Sequence, residues 1–184
     1  MIHNKILEPS SKGRIHPFEQ VQEHVGLEMK NTLHAYLQAS LATIRRAGWL
    51  PLSIFLLHEI CAHVVDGYTL WPPVDIPLHL FGGFAIAFFT SGAIATFADH
   101  DLIQRPHALV HAALVFSLAC TAAVFWEFAE WTADHMLGTS CQVGLDDTIL
   151  DLLMGAVGGG VFAAAILMKI MKDEMSNKMS GPYC

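Results

Sequence analysis

The side chains with chemical potential in this sequence are acids and histidines, set at helical spacing inside apolar surroundings. Residues i, i+3 or i+4 and i+7 share one face of a helix, and four stripes follow that rule. Glu59, His63 and Asp66 form the first, and Asp75 and His79 the second. Glu127, Glu130 and Asp134 form the third, and Asp147 and Asp151 the fourth. Carboxylates with imidazoles are the donor set of zinc, manganese and iron, and helical bundles build di-metal carboxylate sites from facing helices. The pattern predicts His79, Glu127, Glu130 and Asp151 as ligands of one or two divalent ions, with His63, Asp147, Glu59 and Asp134 as further candidates. The spacing is Glu-x-x-x-His at Glu59 and Asp-x-x-x-His at Asp75, not the Glu-x-x-His of the di-metal bundles. The protease signature H-E-x-x-H is also missing, because His58 and His63 lie one residue too far apart and diverge by roughly 140° on a helix. No motif for an organic cofactor is present.

The distribution of charge sharpens that expectation. The basic residues fall in two groups: Lys5, Lys12, Arg14, Lys30, Arg45 and Arg46 before the first apolar stretch, and Arg105, Lys169, Lys172 and Lys178 after the second and fourth. The acids Glu59, Asp66, Asp75, Glu127, Glu130, Asp134, Asp146, Asp147 and Asp151 fall toward the opposite ends of the same stretches, with no Lys or Arg beside them. A buried carboxylate without a cation must take up a proton or bind a metal, and ionisable groups at membrane depth face the bundle interior. Three readings stay open: metal coordination, a hydrogen-bonded network that only specifies packing, and a path for protons or cations. Asp66, Asp75 and Asp146 read as solvated at the interface, and Asp147 as a charge favoured at a helix N-terminus. Gly82 and Gly83 follow His79, and Gly155, Gly158, Gly159 and Gly160 follow Asp151; small residues let such helices approach closely. His100, His107 and His111 read as solvated or interfacial.

The elements that must hold these stripes are membrane helices. Hydrophobic residues make up 53% of the 184 and charged ones 15%, well under the roughly 25% charge of an ordinary soluble domain. Apolar runs cover 49–65, 76–98, 108–131 and 148–170, each near the roughly 20 residues that a bilayer core requires of a helix. The first is the weakest, being interrupted by His58, Glu59 and His63. The fold expected is an all-α integral membrane protein of about four transmembrane helices in an up-down bundle. Because Lys and Arg collect on the cytoplasmic side, both ends are expected there. Residues 1–46 form a cytoplasmic N-terminal region without a signal peptide, 47–171 the transmembrane domain and 172–184 a short cytoplasmic tail. Within 17–46, Val21, Val25, Met29, Leu33, Leu37, Leu41 and Ile44 predict an amphipathic helix, either on the membrane surface or against a partner protein. Membrane lipid is the expected partner. The net charge of −7 excludes nucleic acid as one. Cys61, Cys120, Cys141 and Cys184 show no paired spacing, so no disulfide framework or thiolate zinc site is expected.

Four short motifs in order carry a family likeness. They are Leu57-His58-Glu59-Ile60-Cys61-Ala62-His63, Asp75-x-x-x-His79-x-x-x-Gly83, Trp126-Glu127-x-x-Glu130-Trp131, and Asp147-x-x-x-Asp151 with Gly155. Together they resemble the YjdF-like bacterial inner-membrane proteins, over about residues 55–160. The layout is more loosely similar to VanZ-like proteins, which also place acids before a Gly-rich last span. The resemblance implies a multi-pass protein of the bacterial inner membrane, and the VanZ likeness implies a link to glycopeptide resistance and the cell envelope. It assigns no catalytic residue. The functions these features point to are a metal-dependent protein acting on an envelope lipid or lipid-linked phosphate, a non-enzymatic subunit, scaffold or resistance factor with a structural polar core, or a proton or cation pathway.

Overall fold

A computed structural model describes residues 17–65, 67–139, 141–142 and 144–179. Asp66, the leading residues 1–16, residues 180–184 and the His63 side chain lie outside the described residues. The described chain is helical. Helix α1 spans Pro17–Ala47, α2 Trp49–His63, and the short α3 Gly67–Leu70; a 3-10 turn at Pro72–Val74 leads into α4, Asp75–Asp99. Helix α5 spans Ala108–Leu137 and α6 Leu145–Met179.

Local chemistry sets these boundaries. Prolines cannot continue a helix, and Trp71-Pro72-Pro73 breaks the chain before α4, whose first turn carries Asp75 near the positive end of the helix dipole. Helix α5 begins after Pro106, with the His107 ring accepting from the Leu109 N–H at 3.4 Å. It stops at Gly138, whose φ of 71° is the left-handed geometry that commonly ends helices. Asp146 and Asp147 occupy the first turn of α6. That helix continues to Met179, with Lys172, Asp173, Glu174 and Lys178 exposed on its last turns.

Helices α4, α5 and α6 are long and apolar enough to cross a membrane. Their outward faces carry Leu109, Val110, Leu118, Phe125, Phe128, Leu153, Val157 and Val161, and a helix apolar all round needs either burial or lipid. The fourth expected span does not meet the same length criterion. Helix α2 has 15 residues, about 22 Å at the α-helical rise, against a hydrocarbon core of about 30 Å; the chain leaves the helix at His63 and turns through α3.

Helix α4 packs on α6, α5, α1 and α2 and is the centre of the bundle. Its crossing with α6 is made by glycine. A Cβ on Gly83 would run into the Gly155 backbone, and one on Gly158 into the Leu80 carbonyl, so the two main chains lie in direct contact. On the third side, a Cβ on Gly159 would stand 2.7 Å from Ala119 of α5. Ala87, Val115, Ala119 and Ala163 form the small apolar core beside this crossing. Helix α1 joins through its own small residues, Ala39, Thr43 and Ala47, all buried. At the end of α4, Asp99 holds both Arg46, at 3.6 Å, and Arg105.

Candidate metal centre

The glycine crossing fixes the site. His79 lies one turn before Gly83 on α4, and Asp151 one turn before Gly155 on α6, so the contact of the two backbones brings both side chains to one depth. Nε2 of His79 stands 3.8 Å from Asp151 Oδ1 and 3.2 Å from Asp75 Oδ1, one turn earlier on its own helix. The other ring nitrogen, Nδ1, faces α5 and lies 4.0 Å from Glu127 Oε1. One buried imidazole thus sits between two donor groups: Asp75 and Asp151 with His79, and Glu127 and Glu130 with His79. Within each, ligating atoms lie within 4.8 Å of one another. His79, Glu127 and Asp151 are buried.

The hydrogen bonds around the cluster orient its members unequally. Trp126 Nε1 donates to Glu130 Oε1 at 2.7 Å. The Gln142 side-chain amide donates to Glu127 Oε2 at 3.1 Å and to the Glu127 carbonyl at 3.2 Å. The remaining oxygen, Glu127 Oε1, is buried with no hydrogen-bond partner. If His79 donates from Nε2 to Asp75, its Nδ1 presents a lone pair to that orphan oxygen. Two acceptors facing each other in a buried space repel unless a cation or proton lies between them. Their separation of 4.0 Å is too long for a hydrogen bond.

The residues proposed from sequence separate into three sets. His79, Glu127, Glu130 and Asp151 come together. Asp75, read as solvated, joins them, with a side chain only 18% exposed; the turn at Trp71–Val74 folds the start of α4 over the cluster. Asp134 serves the α5–α6 loop instead: its carboxylate accepts from Thr139 Oγ1 at 2.6 Å, Cys141 N at 2.7 Å and Gln142 N at 2.9 Å. Asp134 therefore holds the loop that carries Gln142, a residue that spacing could not reveal because loop bonds have no period. Cys141 in the same loop has its thiol pushed up by desolvation. Glu59 on α2 and Asp147 on α6 are half-buried and belong to neither donor group. His58, read only as part of a failed signature, faces Trp126 with ring centroids 5.0 Å apart.

A second polar layer lies toward the other end of the bundle. His111 is buried, not solvated, and its Nε2 is 2.9 Å from Ser91 Oγ. The sequence signal for it was the apolar run that surrounds it.

A family described as "Predicted membrane protein (DUF2238)" matches residues 33–173, which include the whole cluster. An uncharacterized protein of Thermotoga maritima is 32% identical over 121 residues, covering 65% of this chain. The chain spans about 60% of the length of that relative. No solved structure matches.

Proposed function

The chain belongs to the DUF2238 family of predicted membrane proteins, and from that premise we propose that it is a multi-pass protein of the bacterial inner membrane that holds a divalent ion, zinc, manganese or iron, at the outer end of its bundle. The observation that carries this reading is the orphan oxygen of Glu127 opposite Nδ1 of His79. His79, Glu127 and Glu130 are the principal ligands, with Asp151 beside them. Asp75 fixes the imidazole tautomer, as carboxylates commonly do behind a ligating histidine. The substrate class is an envelope lipid or lipid-linked phosphate. A bound ion would polarise a phosphoryl oxygen and acidify a coordinated water. Among the described residues no Lys or Arg belongs to the cluster, so the ion is the source of positive charge for such a substrate.

A fourth crossing by α2 fits the packing better than its length suggests. Arg46 lies at the Asp99 end of α4, Trp49 meets Phe88 edge to face with ring centroids 6.0 Å apart, and Phe55 and His58 reach Trp126. The chain thus climbs the bundle between Ala47 and Asp75, which supports cytoplasmic ends on both sides of a four-span fold. Exposed Val21, Val25, Met29 and Leu33 on α1 support a helix lying on the membrane surface, with a partner protein as the alternative occupant of that stripe. The family match spans the motifs shared with YjdF-like proteins; the VanZ likeness serves only as an analogy for an envelope role.

Elemental analysis of detergent-purified protein tests the reading. Stoichiometric divalent metal is expected; a metal-free preparation unchanged by added zinc, manganese or iron would instead fit a structural polar core. Ser91 and His111 offer some support for proton passage. However, they are about 18 Å from His79 along α4 by helical rise, and the apolar layer of Ala87, Val115 and Ala119 lies between.

A further inference from the structure

Beside the cluster lies a cavity of about 550 Å³, lined by α2, α4, α5 and the glycine crossing. Its polar lining residues are His58, His79 and Trp126, near its outer end; below them the walls are Gly82, Ile86, Ala119 and Ala122. The volume is within the range of about 300–1,000 Å³ that holds small-molecule ligands. Helix α2 packs on α4 and α1 and meets α5 through the ring contacts of Phe55 and His58 with Trp126. Apart from those rings α2 and α5 scarcely touch, and the cavity is only partly walled, at the depth where α4 and α5 are apolar. Water has no partners there, and the medium outside is hydrocarbon.

Gly82 gives an independent observation. Gly83 and Gly158 are required by backbone contact, yet a Cβ on Gly82 would meet nothing within 4 Å. Helix packing does not require a glycine at this position, and glycine weakens a helix relative to alanine. Its effect is to leave the cavity wall bare one turn below His79.

We propose that the hydrocarbon chain of a membrane lipid enters between α2 and α5, lies along Gly82 and Ala122, and presents its polar head to the His79–Glu127–Glu130 group. The position of the head rests on the metal reading; the lodging of the chain does not. Lateral entry explains how a substrate could reach the site without leaving the bilayer.

The test uses the full chain in nanodiscs of phosphatidylethanolamine carrying a photoactivatable diazirine in mid-chain, with adducts mapped by mass spectrometry. Adducts are expected on inward-facing Ile86, Ala119 or Ala122, as well as on outward-facing Leu118. In Gly82→Leu the inward adducts should fall about tenfold, since a close-packed groove leaves no slack for an added side chain. The Leu118 adducts and the metal content should hold. Ala122→Leu serves the same purpose from α5 if Gly82→Leu fails to fold. Inward adducts absent from the unaltered protein, or undiminished in both variants, would overturn the proposal. Inward adducts on a metal-free protein would leave the groove standing and remove the metal reading.

Discussion

Replacing Glu127 by glutamine separates a metal site from a packing network, because the amide is the shape of a protonated carboxyl. Suppose first that the cluster is only a network. Glutamine then keeps the bond from Gln142 to one side-chain oxygen, replaces the O–H by an N–H, and changes stability by no more than about 0.5 kcal/mol, as for a substitution that disturbs no special feature. Asp75 and Asp151 have ligating oxygens within 4.8 Å, as do Glu127 and Glu130. Two unit charges at that distance repel by about 3.5 kcal/mol at an effective dielectric constant near 20. Left fully ionised, two such pairs would reach about 7 kcal/mol, comparable with the whole stability of roughly 5–15 kcal/mol of a folded domain, so the acids either take up protons, as in a network, or hold a cation. A divalent ion held by His79, Glu127 and Glu130 would relieve the repulsion of the second pair and stabilise the fold by about 2.7 kcal/mol at a hundredfold excess over its dissociation constant. Glu127→Gln should therefore abolish stoichiometric metal, and chelation should lower the melting temperature of the unaltered protein but not of the variant. Metal titration and thermal unfolding in detergent read both quantities. A variant that melts at the same temperature, with the chelator equally without effect on both proteins, refutes the reasoning.

Other outcomes follow from the same geometry. Asp134→Ala should free the loop that carries Gln142 and weaken metal binding by about 10–100-fold, as losses behind the ligands do, while helix content by circular dichroism is kept; unchanged affinity would detach Asp134 from the site. Gly158→Ala should force apart α4 and α6 and destabilise by about 1–3 kcal/mol, read as a lower melting temperature; an unchanged melt would mean that the crossing is looser than its backbone contact implies. Reporter fusions after Arg46, Pro73, Arg105 and Gly144 should read cytoplasmic, outside, cytoplasmic and outside, and a cytoplasmic signal at Pro73 would remove α2 from the spans.

Periodicity made the helices and most of the cluster legible. A stripe of acids and histidines on an apolar helix identifies the face that cannot point to lipid, and this rule found His79, Glu127, Glu130 and Asp151 together. It also marked the glycines whose contact brings two of them to one depth. It failed where position depends on something other than a repeat. Asp75 sits at the start of its helix and looks solvated until the proline turn folds it inward. Asp134 shares a face with Glu130 but satisfies loop N–H groups beyond Gly138. Gln142 has no pattern at all. His111 was judged by its place near a helix start, although its neighbours are apolar. The stripe that begins at Glu59 lies on the short α2, outside the tight three-helix packing, and Glu59 joins neither donor group.

The direct contact of backbones at Gly83, Gly155 and Gly158 has one further consequence. The distance across the polar cluster from α4 to α6 is set by main-chain atoms, which have no rotamers to exchange. Sequence drift on the lipid-facing surfaces, a different acyl environment, or a swing of the loosely seated α2 can all occur while that span stays constant. The bundle therefore pairs an unyielding jaw with a compliant flank, and adaptation to new guests would be concentrated on the flank.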